Sequence, residues 1–450
     1  MKQTSRQTKL IYFLSYGVVA ILVVMPLHAV LTTWLASRFN HFDLFRIWKD
    51  LLLVPLGLGA VWTTFRNRQA KRFNKLRPLL GLIVAYALLE LILGAWAVAD
   101  HSVNASALMY GWINDLQYLA FFVIALLISA QIPIKPGWRF LLLAPAALVV
   151  FFGLLQHYVL PADFLRHFGY GPHTLPVYET VDQKAAYIRL QSTLRGPNPL
   201  GAYLVLIITS IVSLLVSFKK QRLTTVVFLA AAMTVLFFSY SRSALLGAVL
   251  AVGILLWLCL RGSYSRRVLS ISAAGLLIIG VCSILALRHN DRIENIFFHT
   301  DEHSQSSQSS NQKRGSALES GLEDIWHQPL GRGVGTAGPA SVRNDHPPRL
   351  AENYYLQIGQ ELGLPGLILF LAINIYVFCY LWQQRNDRLS AVLLASFMGI
   401  SFVNLLSHAW ADDTLALIWW GLAGMALGSA ILNTNKSNKS YEKNQKVAKA

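Results

Sequence analysis

Long apolar segments separated by polar ones recur along the whole chain. A helix needs about 20 predominantly apolar residues to cross the hydrocarbon core of a bilayer. The second, fourth and eleventh candidates are short or contain polar residues such as Asn114, Asp115 and Asn404. The candidate spans are residues 10–33, 51–65, 79–99, 110–131, 139–160, 199–217, 223–240, 244–260, 268–287, 366–382, 389–407 and 414–432. The pattern therefore predicts about twelve transmembrane helices.

Composition supports a membrane location. Of the 450 residues, 54% are hydrophobic and 14% are charged, and the mean hydropathy is +0.46. A soluble domain carries about a quarter charged residues. The predicted fold class is all-α: a polytopic integral membrane protein with a large extracytoplasmic loop of short helices between spans nine and ten.

The basic residues set the predicted orientation. If the N-terminus is cytoplasmic, every short basic loop falls on the cytoplasmic side, as the positive-inside rule requires. The formal net charge of +17 then mainly reflects the orientation of the spans. We expect no nucleic-acid partner, because the sequence has no soluble domain with a basic face. The C-terminus is also expected inside, and the first span is expected to be retained. Since Cys259, Cys282 and Cys379 lie within spans, we expect neither disulfides nor a cysteine-based metal site.

This orientation divides the chain into regions. Residues 1–287 hold spans one to nine, with a first outer segment at about 161–197. Residues 288–365 form the large extracytoplasmic loop, 366–432 hold spans ten to twelve, and the lysine-rich tail 433–450 is expected to be disordered in the cytoplasm.

Within the large loop, two helices are predicted around a glycine-rich turn. Leu318, Leu322 and Ile325 have helical spacing, which predicts a short amphipathic helix from Ala317 onward. The turn GRGVGTAGP fits the dinucleotide-binding spacing, but it lacks the preceding strand and the βαβ unit, so we interpret it as tight turning beside the membrane. A second helix is predicted from near Arg349 through Gln360, ending at the 363–366 break.

Two arginines are predicted at the outer face. Arg195 lies in STLRGPNPLGAYL just before the sixth span, and Arg242 lies in FSYSRSALLG, between the seventh and eighth. A cation at the edge of the hydrocarbon costs a few kcal/mol unless it is paired or reaches the interface. Each arginine could reach lipid phosphates, or the pair could bind an anionic ligand such as phosphate bidentately.

A carboxylate with amides marks the second predicted helix. Glu352 is followed by Asn353, Gln357 and Gln360, close to one helical face. Glu352 could act as a general base, or it could be a solvated carboxylate favoured by the helix dipole.

A histidine and two aspartates follow the eleventh span. His408 and Asp412 have the i, i+4 spacing of paired metal ligands, but with Asp413 they fit a solvated loop better. No metal site is predicted there. His346, in NDHPPR, is interpreted as a loop residue.

Three motifs resemble one known family. They are SYSRSALLG around Arg242, LRGPNPLGAY around Arg195, and PLGRGVG followed by ENYYLQIGQELGLPG. The closing HAWADDTLALIWWGLAG is similar as well. Together they resemble the O-antigen ligase and polymerase superfamily, which are integral-membrane glycosyltransferases of bacterial surface polysaccharides.

The resemblance implies an enzyme of the cell membrane of a bacterium. It would transfer glycan from an undecaprenyl-diphosphate-linked donor to an acceptor hydroxyl at the outer leaflet. Arg195 and Arg242 would hold the diphosphate without a metal or another cofactor, Glu352 would act as base, and the large loop would exclude water. The predicted substrate-binding residues are Arg195, Arg242, Arg314, Asn353, Tyr354 and Gln357.

One residue departs from the family pattern. Ligases that act on lipid A core have a histidine where this chain has Glu352, so the departure favours a polymerase or a ligase for a different acceptor. Two other classes stay open. One is a twelve-helix transporter or flippase, although no half-to-half repeat supports it, and the other is a non-catalytic partner in polysaccharide assembly.

Overall fold

A computed structural model describes residues 5–67, 69–181, 187–217, 222–260, 310–350 and 352–448. These residues are mostly helical, with one short antiparallel pair between β1 (Glu179–Thr180) and β2 (Ile188–Arg189). The all-α fold class is therefore confirmed. The predicted ninth span, residues 268–287, and the first part of the predicted large loop lie outside the described residues.

The first seven helices precede the β pair. They are α1 (Ser5–Val24), α2 (His28–Phe39), α3 (Phe42–Arg46), α4 (Trp48–Arg66), α5 (Arg77–Ala99), α6 (Ala105–Ser129) and α7 (Trp138–Tyr158). Short 3-10 turns connect several of them, at Met25–Leu27, Ala70–Leu76, Lys135–Gly137 and Phe164–Phe168.

The remaining described helices follow the β pair. They are α8 (Pro197–Ser217), α9 (Arg222–Phe238), α10 (Arg242–Leu260), α11 (Ser310–His327), α12 (Tyr354–Gln383), α13 (Arg388–Asn404) and α14 (Asp413–Ala448). A 3-10 helix at Gly338–Arg343 lies between α11 and α12. The backbone of α14 continues across the segment for which the sequence predicts a disordered tail.

The described residues contain eight helical segments that are long and apolar enough to span a membrane, by length and composition. They are Gln7–Phe39, Arg72–Ala99, Ala105–Ser129, Lys135–Tyr158, Pro197–Ser217, Arg242–Leu260, Tyr354–Gln383 and Asp413–Asn433. The shorter apolar helices α9 and α13 coincide with two further predicted spans, and α4 coincides with the second. A helix thus covers every predicted span within the described part of the chain.

Small residues bring the helices of the core together. Gly424 and Gly428 on α14 lie against the α6 backbone, where an added Cβ would collide with the carbonyl oxygens of Phe122 and Leu126. Gly247 on α10 and Gly399 on α13 contact each other in the same way. Close backbone approach through small residues is typical of helix packing in membranes, because apolar side chains gain little by leaving lipid.

A kink divides α12 at Gly363, which has φ 66° and ψ −167°. The kink confirms the predicted break, and the glycine-rich turn packs against it. The Arg332 amide donates to the Gln360 carbonyl at 3.0 Å, the Gly333 amide to the Glu361 carbonyl at 2.8 Å, and the Leu364 amide to the Pro329 carbonyl at 2.8 Å. Carbonyls that the kink leaves unpaired within the helix are satisfied by the turn.

The start of α12 differs from the prediction. The helix begins at Tyr354 rather than near Arg349, because Asn353 is its N-cap. The Asn353 Oδ1 accepts hydrogen bonds from the amides of Tyr355 at 3.0 Å and Leu356 at 3.1 Å. An asparagine at this position satisfies amides that have no partner within the helix.

The predicted amphipathic helix of the large loop is α11, but its apolar face was predicted wrongly in part. Leu318 is 43% exposed and Leu322 is 55% exposed, whereas Ile325 is 8% exposed. Ile325 packs with Leu356 of α12. The helix therefore docks through Ile325, and the two leucines remain exposed.

Candidate functional site

A cavity of about 180 Å³ is lined by three arginines, Arg46, Arg195 and Arg343. Segments from distant parts of the chain build it: α2, α3, the first turns of α6, the loop before α8, the 3-10 helix at Gly338–Arg343 and the turn before α14. The lining residues are His28, Ala29, Thr32, Phe42, Arg46, Tyr110, Thr174, Leu175, Arg195, Arg343, Asp412, Asp413 and Thr414.

Two of the guanidinium groups in this arginine cavity pack on one tyrosine. Cζ of Arg46 lies 4.2 Å from the ring centroid of Tyr110, and Cζ of Arg343 lies 4.7 Å from it. Arg195 lines the same cavity, and the Tyr110 side chain contributes to its raised pKa. Cation–π contacts offset part of the mutual repulsion of the arginines, and the cluster can hold an anion through several charge-assisted hydrogen bonds.

Arg195 is fixed in place by the turn before α14. Its Nε lies 2.9 Å from Oδ2 of Asp412, and its terminal nitrogen donates to the carbonyl of Ala411 at 3.1 Å. Burial lowers the pKa of Arg195, but Asp412 and Tyr110 outweigh burial and the net shift is upward. Burial also raises the pKa of Asp412, and Arg195 opposes that rise. Arg195 therefore stays charged with part of its fork turned to the cavity.

Arg46 and Arg343 differ in their carboxylate partners. Nη2 of Arg343 lies 3.4 Å from Oδ1 of Asp43, an exposed residue. No carboxylate among the described residues lies within ion-pair distance of Arg46. The Arg46 charge is thus available to a ligand.

A buried ion pair supports the floor of the cavity. Lys49 is fully buried, and its Nζ lies 2.9 Å from Oδ2 of Asp413 and 3.3 Å from Oδ2 of Asp50. His28 Nδ1 accepts a hydrogen bond from Trp48 Nε1 at 2.9 Å beside this pair. A buried lysine without such a partner would be costly, so Asp413 is required for the local fold.

The solvated-loop interpretation of Asp412 and Asp413 is therefore wrong. Asp412 is 2% exposed, and each of the two aspartates pairs with a cation, Arg195 and Lys49 respectively. Asp412 precedes α14 and Asp413 is its first residue, and each side chain reaches a different partner.

Arg242 and Arg314 lie elsewhere. Arg242 begins α10 and is half-buried, and the neighbouring Ser241 packs on Gly201 of α8. Arg242 is not one of the residues that line the arginine cavity. Arg314 lies near the start of α11, and its side chain is outside the described part of the structure.

Glu352 directly precedes the cap of α12. It is exposed and has φ 47°, a left-handed conformation that is uncommon for a residue other than glycine. Its neighbour Asn353 is occupied as a cap and also donates to the Leu405 carbonyl at 3.1 Å. Glu352 is thus an exposed residue beside the start of α12.

Glu352 and Arg195 have opposite effects on the pKa of His408. Burial lowers the pKa of His408 to about 4, with Glu352 opposing the shift and Arg195 adding to it. The Nε2 atom is buried and has no hydrogen-bond partner. An imidazole with so low a pKa stays neutral near pH 7 and is a weak base, so His408 is a buried polar neighbour of Glu352 and not a second base.

Tyr354 and Gln357 are interior residues. The Tyr354 hydroxyl donates to Oδ1 of Asp115 at 2.9 Å and lies 3.2 Å from the Tyr118 hydroxyl. Gln357 is 1% exposed. The structure places both residues beneath the glycine-rich turn and outside the lining of the arginine cavity.

Glu361 connects this interior layer to the turn. Its Oε1 accepts hydrogen bonds from the amides of Gly335 at 2.9 Å and Ala337 at 3.3 Å. Glu361 therefore holds the glycine-rich turn against α12.

The sequence interpretation missed Arg46, Lys49, Tyr110 and Arg343 as members of one site. One signal was present. In the predicted orientation, residues 34–50 form a short outer loop with Arg38, Arg46 and Lys49. The prediction that every short basic loop is cytoplasmic overlooked this loop, which runs against the positive-inside rule. A basic residue that breaks this rule is a reasonable candidate for binding.

The fold and the cavity define a class of protein: a polytopic helical membrane protein with a guanidinium-lined cavity suited to an anionic ligand. Residues 225–371 match the family model described as O-antigen ligase, which confirms the resemblance in the sequence and supports assignment of the chain to the O-antigen ligase superfamily. The matched range includes Arg242, Arg343 and Glu352. No curated protein matches the chain.

Proposed function

We propose that this protein is a membrane glycosyltransferase of the O-antigen ligase and polymerase type. It transfers glycan from an undecaprenyl-diphosphate-linked donor to an acceptor hydroxyl at the outer leaflet of the cell membrane. The observation that carries this proposal is the presence of Arg46, Arg195 and Arg343 in one cavity lining, with Arg46 and Arg343 packed on Tyr110. Such a cluster matches the charge of a diphosphate.

The reaction follows from this charge arrangement. The acceptor oxygen attacks the anomeric carbon, the bond between that carbon and the diphosphate oxygen breaks, and the lipid diphosphate leaves with the electron pair. Negative charge grows on the leaving oxygen. Guanidinium groups fixed in advance by Asp412 and Tyr110 stabilise that charge without reorganisation, which is the most effective form of electrostatic catalysis.

The acceptor proton requires a base. We assign this role to Glu352, whose exposed carboxylate is electrostatically coupled to His408. Glu352→Gln keeps size and hydrogen bonding but cannot accept the proton, so we expect turnover to fall by about 10²-fold or more. Full activity of this variant would leave Glu352 only a positioning role.

The remaining sequence candidates receive supporting roles. Arg242 and Arg314 would bind the donor from outside the arginine cavity, and Asn353, Tyr354 and Gln357 would contribute to substrate binding by shaping the segment around Glu352. Arg242→Ala is expected to abolish product formation while expression stays normal. Normal product would remove Arg242 from the donor site.

Purified protein in proteoliposomes with a lipid-diphosphate-linked glycan tests the donor site. We expect Arg195→Ala to abolish transfer, whereas Arg166→Ala serves as a matched control because Arg166 is exposed and pairs only with Asp163 among described residues. Transfer should survive a metal chelator, because the arginines supply the positive charge. Wild-type activity in Arg195→Ala would contradict the proposed donor site.

Glycan analysis of a deletion strain distinguishes the reaction types. Accumulated single repeat units on the lipid carrier would identify a polymerase, and accumulated long chains on the carrier would identify a ligase. Unchanged glycans with altered solute uptake would instead support a transporter.

A further inference from the structure

A second, larger cavity of about 560 Å³ lies beside the glycine-rich turn. It is bounded by the end of α5, by the turn after α11 and by the segment that leads to Glu352. The lining residues are Trp96, Asp100, Ser102, Gln328, Pro329, Leu330, Gly331, Arg332, Thr336, Ser341, Asn344, His346, Pro347 and Arg349. None of them lines the arginine cavity.

The two cavities share one wall. The 3-10 helix at Gly338–Arg343 contributes Ser341 to the larger cavity and Arg343 to the arginine cavity. The Arg349 backbone is fastened to this helix, since its amide donates to the Ser341 hydroxyl at 3.0 Å and its carbonyl accepts from the Gly338 amide at 2.8 Å. A ligand in the larger cavity would therefore lie next to a group held in the arginine cavity.

The wall combines an aromatic face with planar polar groups. Trp96 is 52% exposed at the end of α5. Gln328 brings a side-chain amide to the same cavity, whereas the Asn344 amide is occupied by Ser102, Asn104 and Asp345. The C–H faces of a pyranose ring pack on an indole, and amides hydrogen-bond its hydroxyls, so this lining suits a saccharide.

Arg349 adds a charge that the protein does not neutralise. The neighbouring Arg332 pairs with Oδ1 of Asp324 at 2.5 Å, and Oδ2 of Asp324 accepts from Gln360 at 2.9 Å. No carboxylate lies within ion-pair distance of Arg349 among the residues that the structure describes. Burial lowers the pKa of Arg349, and Arg332 adds to this effect. Arg349 is an exposed residue of the cavity lining, so its guanidinium can reach an anion that enters the cavity.

One carboxylate opposes this charge within the described lining. Asp100 follows α5 and lies on the cavity wall, but it is not within ion-pair distance of Arg349 or Arg332. The wall therefore has an acidic end beside Trp96 and a basic end beside Arg349. A chain of sugars with an acidic group at one end fits this polarity.

We infer that the larger cavity binds the acceptor glycan and selects a saccharide with an acidic substituent, which Arg349 holds while a sugar ring stacks on Trp96. This inference rests on the proposed function, because the acceptor hydroxyl must approach a donor held in the adjacent arginine cavity. The acidic substituent could be a carboxylate or a phosphate, and both offer oxygen atoms to the guanidinium fork.

Direct binding to the detergent-purified protein tests the inference with three saccharides: tetragalacturonate, pentamannose phosphate and the neutral galactotetraose. We expect one or both acidic probes to bind about tenfold or more tightly than galactotetraose, as expected for a charge-assisted hydrogen bond. Arg349→Gln should remove this preference and leave galactotetraose affinity unchanged. Arg349→Lys should restore part of it, and Arg166→Gln should change nothing.

The aromatic contribution has its own readout. Trp96→Ala should weaken all saccharides that bind, whereas Trp96→Phe should retain most of the affinity. Equal binding of acidic and neutral probes, no acidic binding at all, or an unchanged preference in Arg349→Gln would each overturn the inference. The carboxylate and phosphate arms show which substituent is preferred.

Farnesyl diphosphate separates this inference from the proposed function. Arg349→Gln should bind it as wild type does, whereas Arg195→Ala should lose diphosphate binding and keep the acidic-saccharide preference. Loss of the saccharide preference alone overturns the acceptor site. Absence of diphosphate binding with the saccharide preference intact counts against the donor site and leaves the saccharide site standing.

Discussion

Individual side chains decide the chemistry of the arginine cavity. Arg195 is held by Asp412 and the Ala411 carbonyl, while Arg46 stacks on Tyr110 without a carboxylate partner in the described structure. The first arginine is positioned by the protein, and the second contributes charge that only a ligand can neutralise. Removing each should therefore have a different effect.

Arg46→Ala is expected to weaken the binding of farnesyl diphosphate by about 10- to 100-fold, because one charge-assisted hydrogen bond is lost and no buried partner is left unpaired. The thermal midpoint Tm should stay near the wild-type value. Arg46→Lys should recover only part of the affinity, because an ammonium lacks the bidentate fork. Wild-type affinity in Arg46→Ala would place the diphosphate outside this cavity.

The stability of the protein should depend on pH through the buried imidazole of His408. Its pKa is lowered to about 4 from the ordinary value of 6.5, so the unfolded chain binds more protons between these values. The contribution of His408 to the free energy of unfolding is fully present above pH 6.5. It falls by about 3 kcal/mol as the pH drops to 4. Tm measured across this window should fall less steeply in His408→Gln than in wild type, and identical slopes would show that His408 is solvated.

At the scale of helices, close packing through glycine sets the arrangement of the spans. Gly424 and Gly428 allow α14 to lie against the α6 backbone. The same two helices supply Tyr110 and, through the turn before α14, the aspartates that hold Arg195 and Lys49. Their contact therefore fixes the distance between two walls of the arginine cavity.

Gly424→Val should force these helices apart and cost about 1–3 kcal/mol or more, because a Cβ there meets the Phe122 carbonyl oxygen, which cannot move freely. Tm and the yield of monodisperse protein should both fall. Gly253→Val is the matched control, since no atom lies within 4 Å of a Cβ built on this glycine of α10. Equal behaviour of the two variants would show that the α6–α14 contact is looser than described.

For the whole molecule, the expected function requires both cavities to open on the outer face. We predict that Glu323→Cys on α11, in a background without native cysteines, reacts with a membrane-impermeant maleimide in intact cells. Asn386→Cys, between α12 and α13, should react only after the membrane is permeabilised. The reverse labelling pattern would invert the orientation and place the cavities in the cytoplasm.

Local pattern was sufficient for most of the helices. Apolar runs predicted the spans, and the Gly363 break was visible because glycine and proline interrupt a helix. The start of α12 was misplaced, because the sequence gives several residues that could open a helix, and only the Asn353 cap hydrogen bonds show which one does. The exposed leucines of α11 were misassigned for a related reason: a helical period does not say which neighbour covers each face.

Hydropathy and charge along the chain predicted an all-α membrane protein, and the order of residues around Arg242 and Glu352 carried the resemblance to the family. The hydropathy pattern and the motif are both local in sequence, so they can be recognised without knowing how the helices pack. Only the tertiary structure decided which charges meet. Arg46, Tyr110, Arg195 and Arg343 are far apart in sequence, and Asp412 and Asp413 change from an apparent loop to buried partners. A charge finds its partner through long-range packing, which no local pattern encodes.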